Sequence, residues 1–188
     1  VFKDRMELIA ESSIIGLLLV FGILILTLEP KVALWVTVGI GVSFLGAFAL
    51  LPANDVSLNL LSTFAFLLVL GIVVDDAIII AESAWSSIEE KGHSIESVVE
   101  GAKKVALPAT FGVLTTIAAF YPTLAISGPW SNAMASIGLV VVFCLLFSLV
   151  ESKLILPAHL AHMNLKKAED TKNPALRKVK MFFRGIRL

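Results

Sequence analysis

The sequence predicts an all-α polytopic membrane protein: five transmembrane helices, a short cytoplasmic amphipathic helix and a C-terminal helix on the membrane surface. Of its 188 residues, 57% are hydrophobic and 16% are charged, whereas soluble domains average about 25% charged. Five stretches each approach the roughly 20 apolar residues that a helix needs to cross a bilayer. Fifteen basic and fifteen acidic residues give zero net charge, which argues against a basic nucleic-acid-binding domain. The single cysteine, Cys144, excludes an internal disulfide framework and a cysteine-rich zinc site.

Apolar runs separated by polar or proline-containing breaks predict where the chain crosses the membrane. Glu29-Pro30-Lys31 forms a tight turn between the first two spans, and Pro52 opens the break before the third. Pro157 is expected to end the fifth span, because proline lacks a backbone donor and clashes with the preceding turn. The predicted spans are residues 8–28, 32–51, 59–85, 105–126 and 133–156, with residues 157–188 forming a separate tail.

The basic residues predict the orientation. Thirteen of the fifteen lie on or near the side that holds residues 29–31, 86–104 and 157–188, and only Lys3 and Arg5 lie opposite. By the positive-inside rule, the side with the thirteen bases is cytoplasmic. Lys153, near the end of the fifth span, is expected to extend its ammonium toward this same side.

Two cytoplasmic segments have helical periodicity. Ser94 is a predicted N-cap for a short amphipathic helix between the third and fourth spans. Asn173-Pro174 begins a second one, whose apolar face is flanked by four bases and is expected to lie flat on the anionic inner leaflet. A solvated tail is the alternative for this segment. The four membrane-surface bases are Arg177, Lys180, Arg184 and Arg187.

The candidate functional residues are two adjacent acids within the third span. At about 1.5 Å per residue, Asp75 lies roughly 22 Å from Leu60 and roughly 15 Å from Trp85, so Asp75 and Asp76 are both deep in the hydrocarbon. An ionised carboxylate there costs about 2.5–3.5 kcal/mol, and two neighbours also repel each other. We expect the pair to titrate as a coupled unit. Such a site suits proton uptake and release, and the alternative is a pair held by permanent hydrogen bonds.

A buried acid pair of this kind calls for a cation that can pair with it in one state and leave it in another. Lys153 is expected to lie too near the cytoplasmic end, and no other lysine or arginine is placed at comparable depth. The counter-cation is therefore expected from outside this chain.

Other titratable residues are weaker candidates. Glu82 lies on about the same face as Asp75, roughly 10 Å nearer the cytoplasm, and with Glu11 it offers a secondary proton path; interfacial placement is the alternative for both. His159 and His162 have a spacing that can share a metal but lack acidic or cysteine partners, so no metal site is expected. The sequence shows neither a nucleophile–base pair nor a phosphate-binding loop, so an enzyme is not expected.

The third span resembles the fourth transmembrane helix of the resistance–nodulation–division (RND) transporters, which are proton-driven bacterial efflux pumps. The run from Gly71 to Ile80, GIVVDDAIII, fits their GxxxDD pattern, with Gly71 as the motif glycine. Glu11, the Pro52 turn and the LILPAHLAHM ending near residue 163 are also similar. The resemblance covers nearly the whole chain and implies helices two to six of the first six-helix repeat. It also implies that the tail is the surface helix that links the two repeats.

The resemblance implies a proton/drug antiporter of the hydrophobe/amphiphile branch in the bacterial inner membrane, relevant to antibiotic resistance. Asp75 and Asp76 match the proton-relay aspartates, whose lysine and arginine partners come from a second repeat that this chain lacks. The implied partners are that repeat, a periplasmic drug-binding domain, two further protomers of a homotrimer, an adaptor, an outer-membrane channel and the lipid bilayer, with no nucleic acid. The proton-motive force is the implied energy source, with no cofactor.

Two other functions are compatible with the sequence. A sterol-sensing-domain-like module also has five spans and would bind lipid without transport. A non-transporting half-domain would pair with another chain and serve assembly alone. The compact loops and the Asp75-Asp76 doublet favour the transporter.

Overall fold

The structure is a computed structural model that describes residues 2–54, 56 and 60–163. Every described element is helical. The predicted surface helix with Arg177, Lys180, Arg184 and Arg187 lies outside the described residues. The elements are α1 (Phe2–Thr27), α2 (Pro30–Leu50), a 3-10 turn (Pro52–Asn54), α3 (Leu60–Lys91), α4 (Ile95–Leu124), α5 (Ser131–Val150), a π-helical turn (Glu151–Ile155) and α6 (Leu156–His162).

Helix lengths confirm the predicted all-α membrane bundle. Four helical segments are long and apolar enough to cross a bilayer: Pro30–Asn54, Leu60–Lys91, Ile95–Leu124 and Ser131–His162. Helix α1 is 26 residues long, and its apolar part is Ile14–Leu26. The protein is therefore a multi-pass membrane protein.

Helix α3 occupies the centre of the bundle. It packs against α1, α2, α4, α5, the π-helical turn and α6. Its buried face carries small residues such as Ala77, Ala81 and Ala84, whose short side chains let neighbouring helices approach closely. Any polar group on that face is therefore held among several helices rather than in lipid.

The α3–α4 connection brings two long antiparallel helices together. Gly92 has φ +84°, a left-handed conformation that favours glycine, and its N–H donates to the Ile88 carbonyl to end α3. Ser94 begins α4 with a reciprocal capping box: its hydroxyl accepts from the Ser97 N–H, and the Ser97 hydroxyl accepts from the Ser94 N–H, both at 3.1 Å. The predicted N-cap is confirmed.

The amphipathic segment after Ser94 differs from the prediction, because it is not a separate helix. It forms the first turns of α4, which continues without a break through Pro108 to Leu124. Val98 and Ala102 face the bundle while Lys103 and Lys104 remain exposed, so the amphipathic pattern reflects one buried face of a longer helix.

The prediction that Pro157 ends the last helix is wrong. The helix continues to His162 because its hydrogen-bond register changes before the proline: the Leu156 N–H donates to the Glu151 carbonyl, five residues back. A π-helical turn of this kind accommodates the extra residue ahead of Pro157, which then lies in the first turn of α6, where a missing N–H costs little. At the end of α6, His93 Nε2 lies 2.8 Å from the Leu160 carbonyl oxygen, so this end lies beside the α3–α4 turn.

Candidate functional site

The two adjacent aspartates of α3 lie in different surroundings. Asp76 is buried, with 8% of its surface exposed, whereas Asp75 is exposed on the surface of the described bundle. Successive residues of a helix point about 100° apart, so one carboxylate can face the interior while its neighbour faces outward. The structure therefore separates the predicted pair into an inner acid and an outer acid.

Asp76 interacts electrostatically with one basic side chain of the bundle. Lys153, on the π-helical turn, lies close enough to attract the Asp76 carboxylate electrostatically. The Lys153 ammonium also donates a hydrogen bond to the Thr110 hydroxyl of α4. Among the described residues, Asp76 Oδ2 is buried without a hydrogen-bond partner. An acceptor on Asp76 therefore remains available beside an ammonium group.

Helix geometry places these groups at one level of the membrane. Asp76 precedes the end of α3 at Lys91 by fifteen residues, and Thr110 follows the start of α4 at Ile95 by fifteen. At 1.5 Å per residue, both lie about 22 Å from the turn that joins the two antiparallel helices. The hydrogen bond from the Ser83 hydroxyl to the Gly101 carbonyl, at 2.7 Å, fixes the register of the two helices.

The expectation that no cation in this chain reaches the depth of Asp76 is wrong. The last helix continues nine residues beyond Lys153 to His162, so the Lys153 backbone lies about 14 Å inside the helix end. Its side chain extends further, to α4, where its ammonium donates a hydrogen bond to the hydroxyl of Thr110, which lies at the level of Asp76.

A further acid lies on the same π-helical turn. Glu151 is only 4% exposed, and its carboxylate occupies the space beside Gly39 of α2 that a side chain at that position would fill. The Gly39 carbonyl accepts a hydrogen bond from the Ser43 hydroxyl at 3.0 Å. Glu151 and Lys153 are two residues apart and therefore face different neighbours, α2 in one case and α3 with α4 in the other.

The remaining predicted site residues lie away from this cluster. Glu82 is half-buried on α3, nearer the α3–α4 turn, and Glu11 is exposed on α1. Gly71 is exposed, and a Cβ atom at this position would meet no described atom within 4 Å, so close helix packing does not account for this glycine. His159 stacks on Trp35 with ring centroids 3.9 Å apart. The part of the chain that the structure describes holds no group of three potential metal ligands.

The sequence contained a signal for the residues that were missed. Glu151 and Lys153 both interrupt the apolar run of the fifth span, as Asp75 and Asp76 interrupt the third. Ionisable residues within a span are functional candidates by default, so the same reasoning applies to both runs. Thr110 carried no such signal, because threonine hydroxyls in membrane helices commonly bond to the preceding turn, as Thr110 does with the Ala106 carbonyl at 2.6 Å.

Known proteins are similar to this chain over most of its length. Residues 3–187 match the family model described as the AcrB/AcrD/AcrF family. The swarming motility protein SwrC of Bacillus subtilis is 29% identical over 169 residues, which are 88% of this chain and 16% of the relative. The multidrug resistance protein MdtC of Pantoea ananatis is 28% identical over 86% of this chain and 16% of its own length. The toluene efflux pump membrane transporter TtgE of Pseudomonas putida is 26% identical over 84% of this chain and 15% of its own length.

The chain thus spans about 16% of the length of the curated relatives it matches. The family model covers all the described helices, including the Asp75-Asp76 doublet and the π-helical turn. The chain belongs to the AcrB/AcrD/AcrF family of RND transporters.

Proposed function

We propose that this chain is part of a proton/drug antiporter of the bacterial inner membrane, in which Asp76, with Asp75, takes up and releases protons. The proton-motive force drives the cycle, with no cofactor and no covalent chemistry. Protonation of Asp76 weakens its attraction to neighbouring cations, and deprotonation restores it. The resulting helix shifts would open and close the transport path elsewhere in the complete transporter.

The observation that carries this proposal is the buried Asp76 carboxylate, one oxygen of which has no hydrogen-bond partner among the described residues. A purely structural carboxylate at this depth would be expected to have all its acceptors satisfied, because an unpaired buried polar group costs about 1–3 kcal/mol. An acid that must bind and release a proton needs an acceptor that is not permanently occupied. The positive charge of Lys153 offers an electrostatic partner for the ionised form.

The exposed position of Asp75 suggests that a further protein segment packs against this face of α3. Lipid is an unfavourable neighbour for a carboxylate, so this face of α3 is expected to be covered by protein or to line a water-filled cavity. We propose that a second transmembrane repeat, which supplies further lysine or arginine side chains, covers Asp75. Glu82 and Glu11 are proposed as a secondary proton path.

The remaining parts of the transporter follow from the relatives. MdtC is named a multidrug resistance protein and TtgE a toluene efflux pump membrane transporter, so we propose amphiphilic and apolar compounds as cargo. A periplasmic drug-binding domain, assembly as a homotrimer, an adaptor and an outer-membrane channel are proposed for the complete protein. The α3–α4 turn, the end of α6 and the basic tail are proposed to be cytoplasmic.

The test uses the full-length parent transporter with Asp75→Asn or Asp76→Asn. Each substitution keeps the side-chain shape but removes the ability to bind and release a proton, so export is expected to fall to the level of cells without the pump. Trimer assembly should be unchanged. Glu90→Gln is the matched control, because it makes the same acid-to-amide change at an exposed position of α3 and should leave export intact. Drug resistance retained in both aspartate variants contradicts the proposal.

A further inference from the structure

We propose that Lys153 is a counter-cation of Asp76 supplied by this chain itself, and that Thr110 holds the Lys153 ammonium when Asp76 is protonated. This inference rests on the proposed proton-relay function of Asp76 and deepens it. It assigns one basic partner of Asp76 to the π-helical turn of the last helix, in addition to those that the resemblance implies for a second repeat.

Lys153 differs from the other charged groups on the elements around Asp76. On the elements packed against α3, Lys153 is the one described cation whose hydrogen bond holds it at the level of Asp76. Lys31 lies in the first turn of α2, and Lys103 and Lys104 of α4 are exposed and precede Thr110 by seven and six residues. The charged and titratable groups on α3 and on the elements packed against it include Asp75, Glu82, Glu11, Glu151, Lys31, Lys103, Lys104, His159 and His162.

The Thr110 hydroxyl takes part in two hydrogen bonds. Its hydroxyl proton is donated to the Ala106 carbonyl, so the oxygen lone pairs face the bundle and accept from the Lys153 ammonium. Threonine carries no charge, so it binds the ammonium without neutralising it. Lys153 can therefore stay hydrogen-bonded after the Asp76 charge disappears. When the charge returns, the ammonium can turn to Asp76 Oδ2, which no described residue hydrogen-bonds.

The backbone at Lys153 forms a π-helical turn. The π-helical turn has a wider hydrogen-bonding ring than an α-helix, and such turns occur frequently at functional sites. The other charged residue of this turn, Glu151, is buried and packs against α2. Movement of Lys153 between Thr110 and Asp76 would thus also shift Glu151 and its contact with Gly39 of α2.

The test measures the protonation of Asp76 in the 188-residue chain in lipid nanodiscs. A hydrophobic carbodiimide modifies protonated carboxyl groups within the membrane, and mass spectrometry of the digested chain reports the labelling rate at Asp76. An opposite charge within about 4–6 Å changes a carboxyl protonation equilibrium by about one to three pH units. At neutral pH, Lys153→Met should therefore raise the labelling rate of Asp76 by about tenfold or more, while Lys153→Arg should stay near wild type.

A second variant should act in the opposite direction. Thr110→Val removes the uncharged partner of the ammonium, so Lys153 should remain with the ionised Asp76 and the labelling rate should fall by about threefold or more. Lys104→Met is the matched control, because it removes an exposed lysine of α4 and should leave Asp76 labelling unchanged. Thr110→Val keeps the inference testable if Lys153→Met does not fold.

The outcomes distinguish this inference from the proposed function. If Asp76 labelling depends on pH but is unaffected by Lys153→Met and Thr110→Val, the in-chain counter-cation is wrong and the proton site stands. If wild-type Asp76 labelling does not change with pH, the proton site itself is wrong. Equal effects of Lys104→Met and Lys153→Met would also overturn the inference, because the effect would then come from general surface charge.

Discussion

The contact between α3 and α4 at Gly101 leads to a prediction that the structure defines quantitatively. A methyl group at Gly101 would lie 2.5 Å from the Ser83 carbonyl oxygen, 2.7 Å from Ala84 Cα and 2.8 Å from Ser87 Cβ. Two of these three atoms belong to the backbone of α3 and cannot move without shifting the helix. Gly101→Ala is therefore expected to push α3 and α4 apart at this level.

The magnitude follows from two opposing contributions. Overpacking of a tight contact costs about 1–3 kcal/mol. Replacing glycine by alanine in a helix contributes up to about 1 kcal/mol in the stabilising direction. Gly112→Ala isolates the first contribution, because Gly112 is in the same helix and a methyl group there meets no described atom within 4 Å. Gly101→Ala should therefore be less stable than Gly112→Ala by about 1–3 kcal/mol.

The assay is unfolding of the chain in mixed micelles by increasing fractions of a denaturing detergent, followed by helical circular dichroism. The separation of the two unfolding curves gives the difference in the free energy of unfolding. Equal curves for Gly101→Ala and Gly112→Ala would refute the close α3–α4 approach, and with it the register that places Asp76 and Thr110 at one level.

Two further predictions test local features of the fold. Ser94→Ala removes the capping box and should destabilise the chain by about 1 kcal/mol and speed amide exchange in the first turn of α4, whereas Ser86→Ala at an exposed position of α3 should change neither. Gly39→Ala should displace the Glu151 carboxylate and destabilise the chain, whereas Gly41→Ala, which meets no described atom within 4 Å, should not. The addition of Glu151→Ala should relieve the Gly39→Ala defect, and strictly additive effects in detergent unfolding would contradict the contact.

The membrane-helix class was predictable from the sequence because it follows from apolar length alone. Helix starts were predictable where local chemistry determines them, as at Ser94, whose side chain caps α4 without help from tertiary contacts. The end of the last helix was not predictable in this way. Pro157 is a helix-ending signal, but the π-helical turn before it shifts the hydrogen-bond register and lets the helix continue.

The candidate site was predictable only in part. Asp75 and Asp76 were predictable as site residues because a carboxylate within an apolar span is costly and is therefore a functional candidate. Which of the two faces the bundle depends on the rotation of α3 against its neighbours, which the sequence does not specify. Lys153 and Asp76 interact electrostatically although they are 77 positions apart, so spacing along the chain carries no information about this interaction.

If Asp76 binds and releases a proton during transport, proton flux through the transporter depends on this carboxyl group. The full-length parent, reconstituted in liposomes with a pH-sensitive dye trapped inside, should move protons only when an exported compound is present. The Asp76→Asn variant should still bind that compound but move neither protons nor cargo. Proton flux in Asp76→Asn equal to that of the wild type would show that Asp76 is not the group that binds and releases the proton.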